Sequence, residues 1–237
     1  MPGSPQADGE PERFEPDVLA ALPPELALSR LPVGRHGLPR AFIARNQRLR
    51  IIAAMLRVLQ RQGYPATTIG HLTHEAGVSR ATFYKQFEGK EECFLATYDL
   101  AAAWLCEQVE DSVTACREWP DRVRVGVTAA LQLLAANPGV ANLIAIEALQ
   151  AGQAARLRRQ ACLGRLAETL RNGRPSRGEL PLELDEMLLG GVFSYVAHYV
   201  ETERTEQLPE ATAELIQYLL IPYLEPGETR RIARRAA

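Results

Sequence analysis

The stretch AGVSRATFYKQF, Ala76 to Phe87, sets a glycine and a serine ahead of a helix too short to fill a core. Within six positions that helix carries Arg80, Thr82, Tyr84 and Lys85. A helix of so few residues is marginal alone, so its neighbours must hold it and its polar side chains must face outward. Upstream, Ile69, Leu72, Thr73 and Ala76 recur at helical spacing, with Thr67 or Thr68 placed as a cap and Gly77 as a stop. Ser79 then caps the short helix, which runs to Phe83 or Tyr84. Two short helices joined by a tight glycine turn make a helix-turn-helix, whose second helix enters the major groove of DNA.

That reading gives each side chain a task. Ser79, Arg80 and Thr82 can bond base edges or phosphates, and the Arg80 fork suits guanine O6 and N7. Ala81 permits close approach, Tyr84 and Lys85 suit phosphates, and Phe83 and Phe87 face inward. Thr67, Thr68 and Lys90 complete the expected set within the domain, and Arg35 and Arg40 join it from an arm.

Charge supports a polyanion partner. Between Arg30 and Lys85 stand ten basic residues and one acid, Glu75, whereas the rest of the 237-residue chain is acidic, for a total of −2. A basic block beside an acidic body fits a nucleic-acid-binding module joined to something else. SRLPVGRHGLPR, Ser29 to Arg40, is too rich in Pro and Gly for a helix and reads as a basic arm that can reach the minor groove. The acidic, Pro/Gly-rich N-terminus has no apolar core of a signal peptide, and no run reaches the length of a membrane span, so a cytoplasmic protein is expected. Cys93, Cys106, Cys116 and Cys162 form no C-x-x-C pair and read as reduced thiols. His71 and His74 alone make a weak zinc case, so neither metal nor cofactor is expected.

The pattern elsewhere is helical throughout, giving an all-α fold. A first helix covers Ala41–Gln62, closed by Gly63 and Pro65. After Gly89 a long helix carries Phe94, Tyr98, Leu105, Val109, Val113 and Cys116, and stops near Trp119-Pro120. Val123, Val127, Leu131 and Leu134 mark the next, and further helices are expected over Val140–Leu149, Ala154–Arg171, Leu182–Thr202 and Pro209–Leu224. The domain plan is a disordered acidic tail (1–29), a basic arm (30–40), a DNA-binding domain (41–90), a helical body (91–225) and a basic C-terminal tail (226–237).

GYPATTIGHLTHEAGVSRATFYKQFEGKEECF, Gly63 to Phe94, resembles the DNA-binding signature of the TetR family of bacterial regulators. The likeness lies in the Gly-aromatic turn, the Thr pair, AGVS followed by a small residue, Thr, Phe and Tyr, then Phe and KEE. Thr73, Gly70, Gln86, His71 and His74 depart from the usual pattern and bear on operator sequence. The resemblance implies a homodimer on an operator with two half-sites, and a helical C-terminal domain that binds a small effector, most commonly in a repressor.

The body has no phosphate loop, nucleophile elbow or zinc-protease motif, so nothing supports an enzyme. An all-α enzyme or carrier with an incidental basic domain, and a structural DNA-binding protein without effector, are the alternatives. The last two helices are apolar enough to suggest a four-helix dimer interface through Leu188, Gly190, Gly191, Tyr195, Leu215 and Leu219. Effector candidates, by residue type only, are Tyr98, Trp104, Cys106, Leu143, Ile146, Glu147, Phe193 and His198.

Overall fold

Helix α1 (Arg40–Ala66) buries Ile51, Ile52, Met55 and Leu59 along one stripe, as the sequence periodicity demands. The computed structural model to which it belongs describes residues 40–174, 180–181 and 183–235. The acidic tail and Arg35 lie outside these residues, while the backbone of Arg40 opens α1. Gly63 (φ 71°, ψ 170°) breaks α1 in a conformation that an L side chain rarely adopts, so Tyr64 to Ala66 turn away from the axis.

Next come α2 (Ile69–Ala76) and α3 (Arg80–Tyr84), both packed on α1. The long α4 (Lys90–Val113) extends about 36 Å at 1.5 Å per residue and carries the chain from this head domain into the body. It ends three residues before Cys116, which lies outside the helix.

The body packs α5 (Trp119–Ala136) and α8 (Gln153–Arg171) against α4, and α9 (Leu184–Glu201) packs in turn on α8. Gly126 lets α5 lie close to α4, since a Cβ there would meet Val113 at 3.3 Å. Between α5 and α8 the chain runs through α6 (Pro138–Asn142), a π-helical turn (Leu143–Glu147) and α7 (Ala148–Gln150). The single helix expected over Val140–Leu149 is therefore interrupted by one wide turn, a local expansion that apolar periodicity does not register.

The helix expected over Pro209–Leu224 is a 3-10 segment (Thr205–Ala211) followed by α10 (Thr212–Leu220), because Pro209 cannot supply an interior amide. The expected C-terminal tail is instead largely helical. α11 (Pro226–Ala233) buries Thr229, Ile232 and Ala233, with its arginines outward. Asp185 pins this end of the body. It accepts from the Tyr223 hydroxyl at 2.7 Å, Arg171 at 3.0 Å and Arg174 at 2.6 Å. Among the described residues there is no strand, and no single helix is long and apolar enough to cross a membrane.

Candidate DNA-reading face and effector cavity

Local capping builds the α2–turn–α3 unit. The Thr68 hydroxyl accepts the His71 amide at 3.2 Å, and Gly77 (φ 62°, ψ 41°) ends α2 in the left-handed conformation. The Val78 amide then donates back to the Thr73 carbonyl at 3.0 Å. Ser79 accepts the Thr82 amide at 3.0 Å and opens α3. Phe83 is wholly buried and Phe87 nearly so, which fixes the rotation of the short helix. Ser79, Arg80, Ala81, Tyr84 and Lys85 are therefore exposed, with Tyr84 58 % exposed, a ring turned to solvent where a core would have claimed it.

Much of the basic block holds this unit together. Arg57 and Arg61 both grip Glu75 on α2, the first at 2.6 Å. Arg61 beside the carboxylate, joined by Arg57, keeps the Glu75 pKa below its usual value. Arg50 donates to the carbonyls of Ala76 and Gly77, bracing the turn. Arg48 donates to the Gln86 carbonyl at 2.7 Å and lies over the Phe87 ring. Arg80 has no hydrogen bond or ion pair to the described residues, so its guanidinium is available to a partner.

In the body, a cavity of about 50 Å³ lies among α4, α5, α6, the π turn, α8, α9 and α10. Its walls are Leu105, Val109, Val127, Leu131, Leu166, Leu189, Phe193 and similar groups, with no polar residue among them. Ile144 and Ala145 of the π turn form part of the wall. From the same turn Glu147 reaches the other way. Its carboxylate accepts the Tyr64 amide at 2.7 Å, just past the Gly63 break, and the Asn142 side-chain amide at 3.3 Å. Burial raises the Glu147 pKa, and these two donors work against that rise. Lys90 closes the joint from α4, donating to the Tyr64 carbonyl at 3.0 Å and lying over its ring. The π turn thus touches the cavity with one side and the head domain with the other.

Residues 51–97 match the family of bacterial regulatory proteins of the tetR type. This head is a TetR-family DNA-binding domain. The whole fold is also shared with TetR-family structures. FadR from Bacillus subtilis, solved with stearoyl-CoA, matches with a TM-score of 0.64 at 19% identity over 72% of this chain and 96% of that one. The fatty acid degradation regulator FadR of Bacillus halodurans gives 0.66 at 21% identity, over 73% and 94% of the two chains. TylP, a TetR regulator from Streptomyces fradiae, gives 0.59 at 21% identity, over 84% and 96%. These relatives are transcription regulators, and identities this low speak for the fold. No curated protein matches the chain.

Within the TetR-family domain, the structure brings Thr68, Ser79, Arg80, Ala81, Thr82, Tyr84 and Lys85 together on α3 and the start of α2. Two of the expected DNA contacts are engaged within the protein. Thr67 is buried and donates to the Gly63 carbonyl at 2.7 Å, so of the Thr pair only Thr68 caps α2 from an exposed position. Lys90 is committed to Tyr64.

The body requires more revision. Of the eight effector candidates only Phe193 lines the cavity. Glu147 is the joint to the head, and His198 is exposed beside Arg204. Tyr98 and Cys106 sit in a buried cluster next to Cys162, while Trp104 and Leu143 are core and Ile146 is half-buried. Leu188, Leu215 and Leu219 point into the protomer, and Leu219 lines the cavity. Gly191 closely faces Tyr218 of its own chain, and Gly190 faces open space. Of the expected interface set Tyr195 is exposed, and the outer side of α9 and α10 presents it together with Met187, Tyr218 and, just beyond, Ile221. The arginine clamps went unread in the sequence, and Glu147, singled out there as an effector candidate, went unread as a joint to the head.

Proposed function

We propose that the protein is a homodimeric transcriptional repressor whose operator affinity is controlled by an apolar effector bound in the body. The observation that carries this reading is the π turn shared by the cavity wall and the Glu147–Tyr64 joint. Ligand cavities usually hold about 300–1,000 Å³, so an effector entering a space of about 50 Å³ must part the walls. Parting them moves Ile144 and Ala145, withdraws Glu147 from Tyr64 and frees the head to turn about Gly63. In a dimer that turn changes the separation of the two α3 helices, and they cease to fit successive major grooves. The effector acts by binding the parted state more tightly than the closed one. The stearoyl-CoA held by the Bacillus subtilis relative supports an apolar effector. The exposed Met187, Tyr195, Tyr218 and Ile221 form the face we assign to the dimer contact.

The test is a titration of the full-length protein against the intergenic DNA upstream of its own gene, with footprinting. Protection of two half-sites with a steep salt dependence is expected. Arg80→Ala is expected to weaken the site by about 1–3 kcal/mol and to relax preference at one base pair. Sequence-independent binding, unchanged by Arg80→Ala, would overturn the reading.

A further inference from the structure

The cavity is apolar on every side, and outside it Arg159, which lies over the ring of the wall residue Phe193, belongs to a cluster of poorly satisfied polar groups. On α4, Tyr98 precedes the wall residue Leu105 by two turns, and on α8 Arg159 precedes Leu166 by the same interval. Residues seven apart share a helix face, so the stripes that line the cavity continue directly to these two side chains. The Tyr98 hydroxyl is completely buried with no oxygen or nitrogen partner, only the weakly bonding Cys162 thiol beside it, and the Arg159 Nε is likewise buried and unpartnered. The Arg159 guanidinium lies 5.3 Å from the centroid of Phe193, itself a residue of the cavity wall. The Cys106 and Cys162 thiols, 3.8 Å apart, fill the space beside Tyr98 and are weak hydrogen-bonding groups.

An orphaned buried donor costs free energy that a partner would recover. Two such donors, one of them cationic, beyond the wall of a greasy space ask for an acceptor attached to a hydrocarbon. We infer that the effector is an amphiphile, with its aliphatic chain in the cavity and a carboxylate or acyl carbonyl oxygen on the Tyr98 hydroxyl and Arg159. Phe193 separates the two parts and must swing aside for the chain to join them. This rests on the effector reading above and adds the chemistry of the head group.

The experiment measures calorimetric binding of dodecanoate, the dodecanoyl-CoA thioester and dodecanol to the full-length protein and to Tyr98→Phe and Arg159→Met. The wild type is expected to bind at least one of the two acyl probes, and each variant to lose roughly tenfold to a hundredfold of that affinity. Dodecanol affinity is expected to be unchanged by either variant, because it tests the chain alone. Loss confined to dodecanoate identifies a free carboxylate, and loss confined to the thioester identifies the acyl carbonyl. Acyl binding equal in wild type and both variants overturns the head-group assignment while leaving an apolar effector standing. Failure of all three probes to bind overturns the amphiphile. Operator binding without probe, measured on the same three proteins, separates either failure from a failure of the DNA-binding reading.

Discussion

The head and the body of this chain are both helical, yet they are held in opposite ways. In the head, directed polar contacts fix every short element. Thr68 and Ser79 cap, Arg50 braces the turn, Arg57 and Arg61 clamp Glu75, and Arg48 covers Phe87. In the body, aliphatic packing dominates, and it leaves a space of about 50 Å³ walled by apolar side chains alone. Polar contacts have narrow geometry, whereas aliphatic packing tolerates rearrangement at modest cost. A surface that must match a rigid groove is built by the first means, and a chamber that must change shape is built by the second.

The largest expected effect breaks the head at the apolar anchor of its shortest helix. Phe83→Ala removes the side chain that sets the rotation of α3 and should cost about 3–5 kcal/mol. Operator binding should vanish in a titration, while far-ultraviolet circular dichroism keeps most of the body's helix signal. If head and body melted together in that variant, the division between them would be wrong.

Next in size is the joint. Glu147→Ala leaves the Tyr64 amide and Asn142 without their acceptor and should cost about 1–3 kcal/mol in chemical denaturation. Its sharper signature is functional, since operator binding should persist while effector-driven release weakens. Weakened operator binding with an unchanged effector response would assign Glu147 to the head alone.

A smaller effect compares slack directly. Val127→Ile adds one methylene to the cavity wall and should stabilise by about 0.8 kcal/mol. Ala54→Val adds to the fully buried side of α1 and should destabilise by about 1–3 kcal/mol through overpacking. Equal signs in thermal melts would remove the contrast in packing.

The smallest effect is the response to acid. The Glu75 pKa is lowered in the folded head, so its ion pairs stabilise above the ordinary carboxylate range and are lost as pH falls through the folded value. Pairs with arginines this exposed contribute about 0.2–1 kcal/mol. Glu75→Gln should flatten that part of the pH profile of head stability. Glu147 has the opposite sign, because burial raises its pKa and acid relieves the cost of its charge.

The head was legible because its signals are local. A glycine that ends one helix and a serine that starts the next leave marks within twelve residues, and the inward turn of Phe83 follows from spacing. Thr67 and Thr68 could not be told apart, since only the backbone decides which hydroxyl meets an amide. The body hid its cavity because a wall of Leu, Val and Ala has the composition of any core. Choosing effector residues by aromatic and polar type therefore selected Trp104 and His198, away from the space, and found only Phe193. Leu188, Leu215 and Leu219 misled for a related reason, because helices apolar on several sides do not declare which side faces inward.

The π turn at Leu143–Glu147 has a consequence for the length of the chain itself. A wide turn of this kind accommodates one residue more than an α-helix would place there. Removing one residue, such as Ala145, would let the segment close as ordinary helix with the flanking helices near their present phase. The slack that lets Ile144 face the chamber while Glu147 meets Tyr64 would be lost with it. The division between sensing and reporting is therefore written in a residue count, and a single-codon deletion would tighten it.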